Sequence, residues 1–120
     1  MSEIRATTIS NAAGTGPITM TGQYAAKAWV NFNGTGTVAI RESGNVSGIT
    51  DNGSGQYTVN FTTALSDANY SVVCSGKGSD ANRYTGLLND PTTASCSVYG
   101  HYHLDSSFQD MPVMCVTITR

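Results

Sequence analysis

Charged residues are scarce in this chain. Only 12% of its 120 residues are Asp, Glu, Lys or Arg, and the formal net charge at pH 7 is −2. The six basic residues stand singly along the sequence. The chain therefore lacks the clustered basic charge that proteins use to hold nucleic-acid phosphates, and we predict no nucleic-acid partner.

Long apolar runs are also missing. No stretch approaches the roughly 20 residues that a membrane-spanning helix requires. The first residues, Met1-Ser2-Glu3-Ile4-Arg5, show no basic start followed by an apolar stretch, so we expect no signal peptide. The three cysteines have no C-x-x-C spacing and lie in strand-like runs. We therefore expect small buried thiols in a protein made in a reducing cytoplasm, with no membrane insertion.

Patterns typical of catalysis or cofactor binding are absent as well. No serine lies in a G-x-S-x-G nucleophile elbow, and the few carboxylates form no pair suited to glycoside hydrolysis. Gly34-Thr35-Gly36 lacks the third glycine and the helix of a dinucleotide-binding loop. Residues 51–55 lack the bidentate glutamate of a calcium loop. We predict a protein that is not an enzyme and uses no cofactor.

What the sequence has in abundance is Gly, Thr, Ser, Asn and Val, a composition that favours short strands and tight turns. Eight runs have strand character: 28–32, 38–41, 46–49, 57–61, 70–75, 83–88, 95–103 and 113–119. Their regular spacing and the lack of a helical period predict an all-β fold. We expect a single antiparallel β-sandwich, jelly-roll-like, over residues 25–120.

The clearest turn signal lies between the third and fourth of these runs. Residues 51–55 read Asp-Asn-Gly-Ser-Gly. Asn52-Gly53 can supply the two positive φ angles that a type I′ turn requires. We therefore predict a hairpin with its turn at these two residues.

Residues 1–24 differ from the rest of the chain. They contain no Trp, Phe or Cys and only a loose apolar pattern at Ile4, Ala6 and Ile9, followed by turn residues at 11–17. Such a segment cannot bury enough surface to fold alone. We predict an extended N-terminal arm for assembly, ordered against its own body or, as we favour, against a neighbouring subunit. An unattached tail is the alternative.

One local pattern suggests metal binding. On a strand, His101 and His103 would point to the same face, with Asp105 following on the same parity. Two histidines bind zinc poorly, but six imidazoles from three chains around an axis could hold an octahedral transition metal. We expect two exposed histidines at a loop edge and no metal, with the trimer-axis site as the alternative.

Four aromatic residues with polar neighbours are candidates for a surface that stacks against sugars: Trp29, Tyr84, Tyr99 and Tyr102. Aromatic rings with a polar atom suit such contacts. A lone Trp in a β domain more often fills a core or an interface, and that alternative stays open.

Four stretches of the sequence carry a family resemblance. Residues 27–41, 45–53, 55–62 and 67–72 resemble a segment of bacteriophage tail-fibre proteins, found especially in phages of cyanobacteria and marine bacteria. The resemblance spans roughly residues 27–73. The resemblance does not cover residues 74–120, and we expect receptor or partner specificity there.

The resemblance implies a structural protein of the virion, made in the host bacterial cytoplasm, and a homotrimer that contacts other tail or capsid proteins. A fibre-type module would attach to a host-surface glycan or protein through loops such as 76–82 and 104–112. Alternatively, a capsid decoration or cement protein would stabilise the head by gripping coat subunits with its arm. We favour the first because the resemblance is to fibres. A polysaccharide-degrading enzyme is a weaker third reading.

Overall fold

The computed structural model describes residues 2–14 and 21–120. Within these residues the chain forms nine β-strands in two antiparallel sheets and no helix. The strands are β1 (Ala26–Asn33), β2 (Ala39–Gly44), β3 (Val46–Gly53), β4 (Gln56–Phe61), β5 (Ser71–Lys77), β6 (Arg83–Leu87), β7 (Ser95–Tyr102), β8 (Ser107–Phe108) and β9 (Val113–Thr119). The predicted all-β fold is confirmed, and β8 adds a ninth strand inside a stretch predicted as a loop. Among the described residues there is no candidate for a membrane-spanning helix.

The two sheets combine local hairpins with long-range pairs. The first sheet has the order β2-β1-β9-β5, and the second has the order β3-β4-β7-β6, with β8 paired to the end of β7. Strands β1 and β2, β3 and β4, and β6 and β7 are neighbours both in sequence and in space. Strand β9 instead lies between β1 and β5 and pairs with both along most of its length. The last strand of the sandwich therefore joins β1 to β5 within the first sheet.

Alternation along the strands builds the core between the sheets. In β1, Val30 and Phe32 are buried. Trp29 alternates with these inward residues and faces outward. The buried apolar side chains among the described residues are Ala28, Val30, Phe32, Val46, Tyr57, Val59, Phe61, Cys96, Val98, Met111, Met114, Val116 and Ile118. Burial of one Val, Phe, Met or Ile side chain contributes about 1.5–3 kcal/mol. This shared core is the main force that holds the sheets together.

The β3–β4 hairpin is present, but its turn is not the predicted type I′ turn at Asn52-Gly53. Gly53 pairs with Gln56, so the two loop residues are Ser54 and Gly55. Positive φ angles occur at Gly53 (130°) and Gly55 (63°), and Asn52 is not among the described residues with positive φ. A register irregularity after Asp51 moves the turn toward Gly55.

The chain changes sheets at Asn45, between β2 and β3. Asn45 has a φ of 54°, in the left-handed region that Asn tolerates better than most residues. Its side-chain Nδ2 donates to the carbonyl oxygens of Lys27 and Thr63, both at 3.0 Å. Its Oδ1 accepts a hydrogen bond from the Thr63 backbone N at 2.7 Å. One side chain therefore fixes the corner between the two sheets.

A second set of hydrogen bonds ties the segment before β9 to the β3–β4 turn. The Asp110 Oδ1 accepts a hydrogen bond from the Gly55 backbone N at 2.8 Å. The buried Tyr57 hydroxyl, which has a single proton, lies 3.0 Å from both the Asp110 Oδ1 and the Gly34 carbonyl oxygen. The charged acceptor thus holds a core phenol and a turn amide in one place.

Backbone contacts extend this arrangement to β7. Gly100 N donates to Gly55 O at 2.8 Å, and Gln109 N donates to Gly100 O at 3.0 Å. A Cβ atom on Gly55 would lie 2.5 Å from Gln109 N, and one on Gly100 would lie 2.6 Å from Met111 Cγ. Both positions therefore require glycine. We call Gly55, Tyr57, Gly100, Gln109 and Asp110 the Asp110 knot.

The described parts of the predicted arm, residues 2–14 and 21–24, contain no strand and are exposed. Ile4 is 89% exposed and Ile9 is 64% exposed. The predicted turn begins where Gly14 N donates to Asn11 O at 2.9 Å. Residue 1 and residues 15–20, with the rest of that turn, lie outside the described residues. Within one chain, Ile4 and Ile9 are left uncovered.

We expect Asp110→Ala to lower the free energy of unfolding by about 2–3 kcal/mol, because a turn amide and a buried hydroxyl lose a charged acceptor. Tyr57→Phe should lower it by about 1–2 kcal/mol. In the double variant the two losses should overlap instead of adding, because the residues share a hydrogen bond. Urea unfolding of the three full-length variants measures these differences.

The matched control for Asp110→Ala is Asp90→Ala, which removes an exposed carboxylate outside the knot. It should change the free energy of unfolding by less than about 0.5 kcal/mol. Equal effects of the two alanine substitutions, or strictly additive losses in the double variant, would contradict a shared role of Asp110 and Tyr57.

The buried thiol of Cys96 makes the free energy of unfolding depend on pH in the alkaline range. All three cysteines are free, and Cys96 is buried while Cys74 and Cys115 are half-buried. Burial raises the pKa of the Cys96 thiol from 9.0 to about 11, with a smaller contribution from Cys74. The folded state thus favours the neutral thiol. Its stabilising contribution is complete below the unfolded pKa and is lost as the pH rises toward the folded pKa.

We expect the difference in unfolding free energy between the native chain and Cys96→Ala to shrink by about 2 kcal/mol between about pH 8 and pH 11. Urea unfolding at a series of pH values measures it. Cys115→Ala, at a half-buried position of β9, serves as the comparison. A difference for Cys96→Ala that stays constant over this range would contradict the assignment.

Candidate functional site

The outer face of the second sheet carries most of the exposed aromatic side chains of the sandwich. Cys96 and Val98 of β7 point into the core, so the alternate residues Ser97, Tyr99 and His101 point outward. Tyr84 of β6 pairs with His101. The strand register therefore gathers side chains on this face that are far apart in the sequence.

Five rings contact one another there, and we call them the aromatic cluster: Tyr84, Tyr99, His101, His103 and Phe108. The ring centroids of Tyr84 and Phe108 each lie 5.0 Å from the His101 ring. The Tyr99 ring lies 5.9–6.1 Å from three of the others, and His103 lies 6.3 Å from Tyr84. Most of these contacts are edge-to-face, the arrangement that aromatic rings prefer.

The cluster forms a row across three adjacent strands. His101 pairs with Tyr84 of β6 on one side and with Phe108 of β8 on the other. The Tyr84 hydroxyl and His101 Nδ1 are 2.7 Å apart and form a hydrogen bond. Tyr84 is 42% exposed and Phe108 is 38% exposed. The two outer rings of the row are therefore open to a ligand, and the imidazole between them is held in place.

The Tyr99 ring covers the backbone of a neighbouring strand. Gly86 of β6 pairs with Tyr99, and a Cβ atom on Gly86 would lie 2.7 Å from the Tyr99 hydroxyl oxygen. The absence of a side chain at Gly86 thus leaves the space that this ring occupies.

Hydroxyl and amide groups continue the same face toward β3. Thr58 Oγ1 and Ser97 Oγ are 2.9 Å apart, and Asn52 Nδ2 donates to Thr58 Oγ1 at 2.8 Å. Asn60 Nδ2 donates to Thr50 Oγ1 at 2.9 Å. We call these five residues the polar ladder. It places aligned donors and acceptors beside the aromatic cluster.

The face carries no permanent charge. Within the described strands, the outward positions of β3, β4, β6, β7 and β8 hold no Asp, Glu, Lys or Arg. Asp105 lies next to the cluster in the exposed β7–β8 loop. Hydrogen bonds from Ser107 lower the pKa of that carboxyl, with His101 contributing least. Its charge is turned toward Ser107 and solvent.

The two predicted candidate ligands, His101 and His103, both contact the Tyr84 ring. The described residues contain no group of three or more His, Cys, Asp or Glu side chains that could hold a metal ion. His101 also uses Nδ1 in its hydrogen bond with Tyr84. A shared metal site would need imidazoles from other copies of the chain, and it stays a prediction.

The four predicted surface aromatics are divided among three places. Tyr84 and Tyr99 lie together, with ring centroids 6.1 Å apart. Tyr102 has the opposite parity from His101 and packs under the Arg83 guanidinium, whose Cζ is 4.8 Å from the ring centroid. Trp29 lies on the outer face of the first sheet, where its indole covers Gly44. The structure thus joins two of the four and separates the others.

The sequence did not indicate Phe108 as a member of the site. It lies in a two-residue strand, which is too short to show alternation. The Asp110 knot fixes its position, because Gln109 N donates to Gly100 O beside the end of β7. The only local signal was a single aromatic residue among Ser, Gln and Asp.

Protein-family models, curated proteins and solved structures were compared with the chain, and none of them matches it.

Proposed function

We propose that this chain is a non-enzymatic structural protein of a bacteriophage virion, a tail-fibre-like module that attaches to the host surface through the aromatic cluster. The observation that carries the proposal is the exposure of contiguous rings, with Tyr84 and Phe108 about two-fifths exposed on an uncharged face. Scattered exposed apolar residues are ordinary, but contiguous exposed patches are typical of binding surfaces.

The division of the chain supports this proposal. The segment that resembles tail fibres, residues 27–73, contains all but the first residue of β1, then β2 to β4 and the start of β5. All five rings of the aromatic cluster lie between residues 84 and 108, outside that segment. A shared framework with a separate recognition face is the arrangement expected of proteins that keep a fold while changing their targets.

Assembly into a homotrimer, with other tail or capsid proteins as partners, belongs to the same proposal. The low charge of the chain limits electrostatic repulsion between closely packed copies. An extended arm that exchanges between protomers adds interface area without a larger core. Interlocked subunits also unfold slowly, which suits a particle outside a cell.

A capsid decoration or cement protein is the second candidate function. The observation that favours it is the arm, in which Ile4 and Ile9 are exposed in the single chain. Apolar side chains that stay exposed in the single chain suit a groove on a neighbouring coat subunit. In that case the sandwich would face outward from the head.

The first test is immunogold electron microscopy of intact virions with antibody against residues 25–120. We expect label at the tail or its tip. Label over the head would overturn the tail-fibre function and establish the decoration function instead. Purified virions that carry no label and no copy of the chain would contradict both.

The arm is tested in the full-length chain by Ile4→Asp combined with Ile9→Asp. We expect incorporation into virions to fall at least tenfold, because a charged side chain cannot enter an apolar groove without a large desolvation cost. Thr7→Asp combined with Thr8→Asp adds the same charge to the same segment and is the control. Equal incorporation of both double variants would show that the two isoleucines are not the contact.

A further inference from the structure

We propose that the aromatic cluster and the polar ladder together form a binding site for a neutral oligosaccharide. The chain of sugars would cross the rings of β6, β7 and β8 and continue over β7 and β4. The biological role of this site rests on the proposed host-attachment function. The class of ligand follows from the chemistry of the face.

The rings provide apolar surfaces of the size of a sugar ring. A pyranose has one face formed largely by C–H groups, and aromatic side chains combine a flat apolar surface with polar edges that complement it. Tyr84 and Phe108 flank His101 at 5.0 Å on either side. The row therefore offers two stacking surfaces, one on each side of His101, at the end of a site that continues along β7.

Polar groups without a protein partner lie beside these rings. Gln56 is the cross-strand neighbour of Tyr99, and within the described residues neither the Gln56 carboxamide nor the Tyr99 hydroxyl takes part in a hydrogen bond. A carboxamide and a phenol can each both donate and accept. They can therefore satisfy the hydroxyl groups of a sugar that stacks on the neighbouring rings.

The polar ladder extends the site along β7. Ser97 is four residues from His101 on the same face of the strand, which corresponds to about 13 Å. Its partner across the sheet, Thr58, presents a second hydroxyl at 2.9 Å. Sugar hydroxyls along the chain would meet successive donors and acceptors, and alignment with the strand would fix their register.

The charge of the face selects among glycans. An acidic sugar is normally held by Arg or Lys, and the described outward positions of the second sheet provide neither. The guanidinium of Arg83 lies over the Tyr102 ring, on the opposite face of the sheet from the aromatic cluster. A carboxylate or sulfate placed on the rings would therefore lose its hydration without gaining a counter-charge.

The small exposed area argues for a sugar in preference to a second copy of the chain. A full aromatic side chain offers about 150–250 Å², and the two most exposed rings of the cluster are 42% and 38% exposed. A stable protein interface needs about 800 Å² from each partner. The two rings alone supply much less than that, so most of a protein interface would have to lie elsewhere on the chain.

The experiment titrates isotope-labelled full-length protein with neutral hexasaccharides of glucose, mannose, galactose and N-acetylglucosamine, and with hexagalacturonate as the acidic probe. Amide chemical shifts report both affinity and location. We expect at least one neutral hexasaccharide to bind and to shift the amides of Tyr99, His101 and Phe108. Hexagalacturonate should bind at least tenfold more weakly.

Three variants locate the site. Tyr84→Ala combined with Phe108→Ala should weaken binding at least tenfold, and Gln56→Ala should weaken it three- to tenfold while leaving every ring in place. Trp29→Ala removes an aromatic side chain of matching exposure, 39%, from the other sheet and should stay within twofold of the native chain. Amide spectra of each variant show whether it remains folded.

The proposal is overturned if no neutral hexasaccharide binds, if hexagalacturonate binds equally well, or if Trp29→Ala is the damaging change. Self-association that the Tyr84 and Phe108 substitutions abolish would identify a second copy as the occupant and would also overturn it. Neutral-sugar binding together with label on the virion head would refute the tail-fibre function alone. Tail label without sugar binding would refute the ligand class alone.

Discussion

The hydrogen bonds around Asp110 connect the inside of this protein to its candidate recognition face. Tyr57 is fully buried and packs edge-to-face on Phe32, with ring centroids 5.1 Å apart. Its hydroxyl meets the Asp110 carboxylate, and the segment that carries Asp110 also carries Phe108. The position of an exposed ring is thereby set by a core side chain. A surface built in this way binds without first paying the entropy of ordering a loop.

The strands could be predicted from the sequence because burial alternates along them. In β4, for example, Tyr57, Val59 and Phe61 are buried while the residues between them are partly exposed. The turn of the β3–β4 hairpin could not be predicted in the same way. Asn52-Gly53 is the stronger local signal, but the pairing of Gly53 with Gln56 depends on the register across the whole hairpin. Packing of the long strands decides that register, and no tetrapeptide encodes it.

The candidate site was predictable only in part, for two different reasons. Tyr99 and Tyr102 are three residues apart on one strand, so alternation places them on opposite faces, although both are among the four residues predicted to form one surface. Trp29 is a different case, because nothing in the pattern of β1 tells which of two sheets that strand joins. Long-range pairing of β1 with β9 places it there. The contact of Tyr84 with His101 likewise depends on the β6–β7 register.

The central place of β9 in its sheet governs when the chain can fold during synthesis. Strands β1 and β5 do not pair with each other. They are joined within the sheet only by β9, residues 113–119, which pairs with both. The first sheet is therefore completed only after residues 113–119 have left the ribosome, and contacts between such distant parts form slowly. Chains cut short by a premature stop would lack the strand that joins the two and would not reach the folded state. Only copies that have been synthesised through β9 can therefore fold into the complete sandwich.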